Sequence, residues 1–80
     1  MMMKKRRLRK IGKIRGIVEG RIVVEGEFVP RLGEKVYDPS LNEVGVVLSI
    51  LGPKNRFFIE VKPSKAEDHP IGEPLYIIEK

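Results

Sequence analysis

The sequence contains no cysteine and no tryptophan, and only one of its 80 residues is histidine. Without thiols the chain forms neither disulfide bonds nor thiolate metal sites. The single His69 stands in the loop-like stretch EDHPIG, directly after two acidic residues. One imidazole beside carboxylates is a poor metal site, so we predict a solvated loop histidine. We expect neither a metal nor a cofactor.

Catalytic combinations of residues are equally scarce. The three serines share one histidine as a candidate base, and the eleven acidic residues are scattered over predicted turns and strand ends. Hydrolysis needs a nucleophile with its base, or two carboxylates together in a dry pocket. The glycine-containing run GRIVVEGE lacks the lysine and the following helix of a phosphate-binding loop. These absences predict a protein that is not an enzyme.

Long apolar runs are missing as well. No stretch approaches the roughly 18 to 20 apolar residues that cross a bilayer. The basic N-terminus is not followed by an apolar segment of signal-peptide length. We therefore predict no membrane association and a cytoplasmic location.

The positive charge is concentrated at one end of the chain. The formal net charge is +5, yet residues 1–16 carry eight basic and no acidic side chains, and residues 17–80 carry eight basic and eleven acidic ones. We predict a disordered basic tail over residues 1–10 and one β-barrel domain over residues 11–80. Clustered cations displace counterions from nucleic acid. The candidate RNA-binding residues are therefore Lys4, Lys5, Arg6, Arg7, Arg9 and Lys10.

The remainder of the sequence reads as short strands separated by Gly, Pro and Asn. Two β-branched runs flank Glu19-Gly20 and predict a hairpin, and DPSLN predicts a turn capped by Asp38. The runs EKVYD, EVGVVLSIL, RFFIEVKP and PLYIIEK predict further strands. Six short strands in about 70 residues predict an all-β fold, a small closed six-stranded barrel.

The most apolar run, EVGVVLSIL, carries apolar residues on both faces if its side chains alternate. Period two places four of them together, namely Val44, Val46, Leu48 and Ile50. Such a strand is predicted to be central and covered on both sides. Gly45 on its second face predicts a bend or a close approach of another segment.

The stretch GPKNRFFIEVKP supports two functions. Alternation sends one of Phe57 and Phe58 into the core and the other outwards. An exposed aromatic beside a rigid Gly-Pro turn is typical of an anchor in a protein interface. The alternative is a free-standing RNA-binding barrel, in which the tail and the strand Arg56-Phe57-Phe58 hold phosphates and stack on bases. Because the body outside the tail is net acidic, protein docking is favoured.

An ordered set of residues resembles the small β-barrel, GAR-type accessory subunit of the archaeal H/ACA guide-RNA pseudouridylation particle. The set is a Gly before Val-Tyr-Asp, a Gly-containing strand ending in Gly-Pro, a strand ending in Val-Lys-Pro, and Gly-x-x-Leu-Tyr. The resemblance covers roughly residues 11–78. The matching residues are Gly33, Val36, Tyr37, Asp38, Gly45, Gly52, Pro53, Val61, Lys62, Pro63, Gly72, Leu75 and Tyr76.

The resemblance implies a barrel like that of a translation-factor domain, with no active site. It implies docking on the catalytic domain of the pseudouridine synthase subunit, without direct contact to the guide RNA. From there the subunit helps a mobile synthase loop to load and release substrate RNA. Independently of the resemblance, the basic tail is a candidate for contact with RNA phosphates within the assembled particle. The sequence departs from the family pattern at Lys54-Asn55-Arg56, where apolar residues are usual. The predicted partner-binding residues are Val36, Tyr37, Asp38, Gly52, Pro53, Arg56 and Phe58.

Two further expectations concern assembly. A third interpretation is that the chain is an assembly chaperone of the same barrel family. Such a chaperone would occupy the same synthase surface only transiently. An exposed apolar docking face also predicts homodimers when the protein is isolated.

Overall fold

A computed structural model describes residues 7–79 as six antiparallel strands closed into one barrel. Around the barrel the strands follow the order β1-β2-β5-β4-β3-β6. The predicted all-β, closed six-stranded barrel is confirmed. No helix that would be able to span a membrane occurs in the described part of the chain. The strands are β1 (Arg7–Val18), β2 (Arg21–Gly26), β3 (Lys35–Tyr37), β4 (Glu43–Leu51), β5 (Phe58–Pro63) and β6 (Pro74–Glu79).

The predicted hairpin between β1 and β2 is confirmed. Val18 pairs with Arg21, so the loop contains only Glu19 and Gly20. Both loop residues have positive φ, 51° and 76° respectively. Two positive φ values are the geometry of a type I′ turn, whose twist matches that of the flanking strands. Glycine adopts this backbone without strain, whereas glutamate does not.

We expect Glu19→Asn to raise the free energy of unfolding by about 0.5–1 kcal/mol, because asparagine tolerates the left-handed region better than glutamate. Thermal denaturation followed by circular dichroism should show a midpoint about 2–8 °C higher. Glu19→Ala is the matched control, since it removes the same charge and keeps the strain. An equal rise in both variants would mean that the gain comes from charge.

The inside of the barrel is filled by apolar side chains from all six strands and from the residue just before β5. Ile59 and Val61 of β5 are fully buried, as alternation in RFFIEVKP predicts. The twelve buried apolar residues are Ile11, Ile14, Ile22, Val24, Val36, Val44, Val47, Phe57, Ile59, Val61, Leu75 and Ile77. Burial of this apolar surface is the main stabilising term of the fold.

The first strand starts earlier than the sequence indicates, so the predicted disordered tail is wrong for residues 7–10. These residues pair with the end of β6, for example Leu8 with Ile78. The guanidinium of Arg9 donates to Glu79 at 2.9 Å and lies 4.7 Å from the ring centre of Phe28. Cross-strand pairs of this kind hold the segment as a strand despite its charge. Residues 1–6 lie outside the described residues.

Strict alternation is wrong for β4, and so is the prediction that both of its faces are covered. The strand places Val44, Val47 and, in part, Ile50 towards the core, whereas Leu48 is 38% exposed. The pairing register shifts between Val47 and Ser49 against β5, and a second shift occurs opposite β3. Each β-bulge adds one residue and moves the inward side chain by one position. Bulges bend a strand, which a closed barrel of six strands requires.

Candidate protein-docking surface

The two adjacent phenylalanines point in opposite directions, as predicted. Phe57 lies in the core at 7% exposure, and Phe58, the first residue of β5, lies half-buried on the outside of the barrel. The register places Phe58 between Glu25 of β2 and Leu51 of β4. Because Phe57 is buried, it is not available to stack on a base. The alternative RNA-binding site thereby loses one of its aromatic residues.

An apolar groove of about 410 Å³ runs across the outer face beside Phe58; we call it the Phe58 groove. Its apolar lining comes from three strands, β1, β2 and β4, in addition to Phe58. A Cβ added at Gly16 would meet no heavy atom within 4 Å, so this glycine leaves the groove open. Leu51 and Val18 are both more than half exposed. The apolar lining residues are Gly16, Ile17, Val18, Val23, Leu51 and Phe58.

Charged side chains surround the Phe58 groove. Arg15 lies 3.7 Å from Glu25, and Arg21 lies 3.7 Å from Glu60. The hydroxyl of Ser49 donates to the carboxylate of Glu60. Exposed ion pairs of this type contribute little to stability. An apolar centre inside a polar, charged rim is nevertheless the arrangement found in protein–protein interfaces.

The turn before β5 adds predicted contact residues to the same end of the barrel. The backbone N–H of Arg56 donates to the carbonyl of Pro53 at 3.0 Å, which closes the turn after Gly52. Gly52, Pro53 and Arg56 are all exposed. Arg56 and Phe58 line a second depression next to the Phe58 groove, and Arg15 lines both. The structure thus brings four of the seven predicted partner-binding residues together.

The other three predicted partner-binding residues lie elsewhere. Val36 is fully buried in the core, so its side chain is not available to a partner. The carboxylate of Asp38 caps its own turn, accepting from the backbone N–H groups of Ser40 and Asn42 at 2.9 Å. This turn and Tyr37 lie at the start of β4, whereas the Phe58 groove lies at its end. At ~3.3 Å per residue, the nine residues of the bulged strand β4 separate the two sites by at most about 26 Å.

Two of the candidate RNA-binding cations are already paired with acidic residues. Arg9 contacts Glu79, and the ammonium of Lys10 lies 3.4 Å from Glu27. Arg7 lies in β1 opposite Glu79. Lys4, Lys5 and Arg6 fall outside the described residues.

His69 differs from its predicted solvated state. Its side chain is only 8% exposed, and its Nδ1 lies 3.3 Å from a carboxylate oxygen of Glu73. The imidazole therefore packs within its loop and ties position 69 to the start of β6. Within residues 7–79 no three potential ligands gather as a metal site would require.

Gly16 and Val23 were not predicted as site residues. Val23 stands between the buried Ile22 and Val24, so alternation places an apolar side chain on the outside at position 23. That signal is readable in the sequence. That Gly16 lines a groove cannot be inferred from the sequence, because the groove forms only where β2 and β5 lie next to each other in the barrel.

Comparison with known proteins adds three findings. A family model described as the Gar1/Naf1 RNA binding region matches residues 8–80. An uncharacterized protein of Methanothermobacter thermautotrophicus is 31% identical over 64 residues, which cover 74% of this chain and 70% of that protein. A solved structure of the Gar1 domain of Naf1 superposes with a TM-score of 0.76 at 18% identity, covering 98% of this chain and 90% of that one. At this identity the solved structure supports the barrel fold alone.

Proposed function

The chain belongs to the Gar1/Naf1 family, and from that membership we propose that it is a non-catalytic accessory subunit of the H/ACA guide-RNA pseudouridylation particle. The family description supports a role in RNA binding within such a particle. The specific partner in our proposal is the catalytic domain of the pseudouridine synthase subunit. The observation that carries this part is the Phe58 groove.

The groove has the features that a stable partner would use. Phe58 supplies a large aromatic surface that is held in place by the strands on both sides. Leu51 and Val18 remain more than half exposed, so a partner that covers them removes apolar surface from water. The surrounding charged pairs supply the polar rim that excludes solvent and orients the partner.

In this proposal the chain assists the reaction without taking part in its chemistry. By resting on the synthase, the barrel favours the positions of a mobile synthase loop that load and release substrate RNA. We propose that the protein acts in the cytoplasm and that, in isolation, a second copy covers the same groove. Self-association and synthase binding would then compete for one surface.

Calorimetric titration into the archaeal synthase subunit tests the docking proposal. The full chain and a chain that lacks residues 1–6 are compared, with the cut placed before Arg7 because β1 begins there. We expect the two dissociation constants to agree within about threefold, since apolar contacts rather than counterion release supply the affinity. Absence of binding by both chains would refute docking.

The titration also separates the two functions. Loss of synthase binding on removal of residues 1–6, together with RNA binding by the full chain, would favour the free-standing RNA-binding barrel. A stable subunit and a transient assembly factor would share the docking surface and differ in lifetime. The dissociation rate measured in a chase with unlabelled protein therefore distinguishes these two.

A further inference from the structure

The only two tyrosines of the chain lie side by side on the outside of the barrel. Tyr37 of β3 pairs directly with Tyr76 of β6, which places their Cβ atoms about 4.5–5.5 Å apart. Their chain neighbours Val36, Leu75 and Ile77 are buried, so both phenol rings face outwards. Tyr76 therefore lies outside the core, whereas its chain neighbour Leu75 fills the barrel.

Lysines flank the two rings. Lys10 of β1 lies opposite Tyr76, and Lys35 precedes Tyr37 by two residues on the same face of β3. Lys13 lies further along β1, opposite Pro74. We call Lys10, Lys13, Lys35, Tyr37 and Tyr76 the tyrosine face. In the sequence, three further cations stand directly before β1, at positions 4–6.

Acidic residues also lie near these lysines. Lys10 is 3.4 Å from Glu27, and Lys35 is 3.6 Å from Glu43, which pairs with Tyr37 across β3 and β4. The lysine side chains of both pairs are more than a third exposed. Exposed ion pairs contribute little free energy. Each lysine can therefore leave its carboxylate partner for an RNA phosphate at little cost to the binding free energy.

We propose that the tyrosine face binds single-stranded RNA, with neighbouring bases stacked on Tyr37 and Tyr76 and the lysines against the phosphates. Aromatic side chains bordered by cations form the platform on which unpaired bases stack. Double-stranded RNA is excluded, because its bases are already stacked on each other. The inference rests on the RNA-binding part of the proposed function and is independent of docking on the synthase.

The location of the tyrosine face allows RNA and synthase to bind at the same time. Tyr37 pairs with Glu43 at the start of β4, and Phe58 pairs with Leu51 at its end. A partner confined to the Phe58 groove would leave the two tyrosine rings uncovered. The subunit would hold substrate RNA near the synthase while it remains docked.

The absence of other tyrosines makes a specific test available. The full chain is produced with 3-fluorotyrosine, so that its ¹⁹F NMR spectrum contains two resonances, both from the tyrosine face. A single-stranded decauridylate is titrated at about 0.1 M salt, with inorganic polyphosphate as the anion that has no bases. We expect saturable shifts of both resonances with decauridylate, and smaller shifts with polyphosphate.

Two variants separate stacking from a purely structural role of the tyrosine pair. Tyr37→Phe keeps the ring and should bind decauridylate within about twofold of the original chain, whereas Tyr37→Ala should bind about 5- to 150-fold more weakly. If all three lysines engage phosphates, log K against log salt should have a slope of about −2. A structural role alone predicts that Tyr37→Ala changes thermal stability and leaves RNA affinity unchanged.

Three outcomes would overturn the inference. RNA binding with both fluorotyrosine resonances unmoved would place the RNA elsewhere, for instance on residues 1–6. Equal shifts with polyphosphate would show that charge alone is recognised. No binding of decauridylate would remove the RNA site altogether and would leave the synthase titration unaffected.

Discussion

Replacing Phe58 by alanine is expected to weaken binding of the synthase subunit by about 30- to 1,000-fold, the range for an aromatic anchor at the centre of an interface. Phe58 is the aromatic side chain that lines the Phe58 groove. The fold should survive, because Phe58 is half-buried on the outside and the neighbouring core positions are filled by Phe57 and Ile59. Isothermal titration calorimetry measures the loss, and circular dichroism confirms that the barrel is intact.

Leu32→Ala is the matched control for this loss. Leu32 is 67% exposed, and it lines a different depression, formed with Phe28 and the end of β6. Its removal takes away exposed apolar surface of a similar kind at a distance from the groove. We expect affinity within about twofold of the original chain, as for most residues outside a hot spot. A comparable loss in both variants would mean that Phe58 is not the anchor.

A second test of the same surface blocks the groove with an added side chain instead of removing a contact residue. Gly16→Gln adds a long polar side chain where an added Cβ meets no heavy atom within 4 Å. The barrel should keep its stability, while the side chain occupies the space that a partner needs. Weakened docking by a stable Gly16→Gln variant would support the Phe58 groove as the interface. Unchanged docking would contradict it.

Gly45→Ala should lower the free energy of unfolding by about 3 kcal/mol or more. A Cβ at position 45 would overlap the carbonyl oxygen of Lys62 and lie 2.9 Å from the Cα of Pro63. These are backbone atoms of β5, which cannot rotate away as a side chain does. The close approach that Gly45 predicts in the sequence is therefore confirmed.

For a domain of 80 residues, whose total stability is of order 4–12 kcal/mol, this loss is a large fraction. Urea denaturation followed by circular dichroism measures it. Gly16→Ala is the control, because it makes the same chemical change in a strand where nothing crowds the Cβ. There we expect no loss and up to about 1 kcal/mol of gain from the lower entropy of the unfolded chain. Equal midpoints for the two variants would refute the argument.

Local patterns predicted much of the site because they depend on neighbours in the sequence. In RFFIEVKP, alternation alone sends Phe57, Ile59 and Val61 inwards and leaves Phe58 outside. The Gly52-Pro53 turn and the Asp38 turn were equally readable, because their hydrogen bonds join residues at most four positions apart. The family resemblance, not alternation, placed Val36 with its chain neighbours Tyr37 and Asp38 in a contact surface, although its side chain is in the core.

Which distant strands pair with each other could not be predicted from the sequence. Residues 7–10 have the composition of a basic tail, yet they pair with β6 about 70 positions later in the chain. The tyrosine pair joins β3 to β6, and the Phe58 groove joins β1, β2, β4 and β5. None of these contacts can be predicted from a window of ten residues, because each joins strands that are far apart in the sequence.

The sequence by itself determined the barrel, its turns, the inward residues of β5 and the choice of Phe58 as the outward aromatic. Periodicity and turn chemistry are local, and they act before any long-range contact forms. Only the tertiary structure decided where the bulges of β4 fall and which outer residues meet. Barrel closure joins strands that are far apart in the chain, and the bend that closure demands moves β4 out of strict alternation.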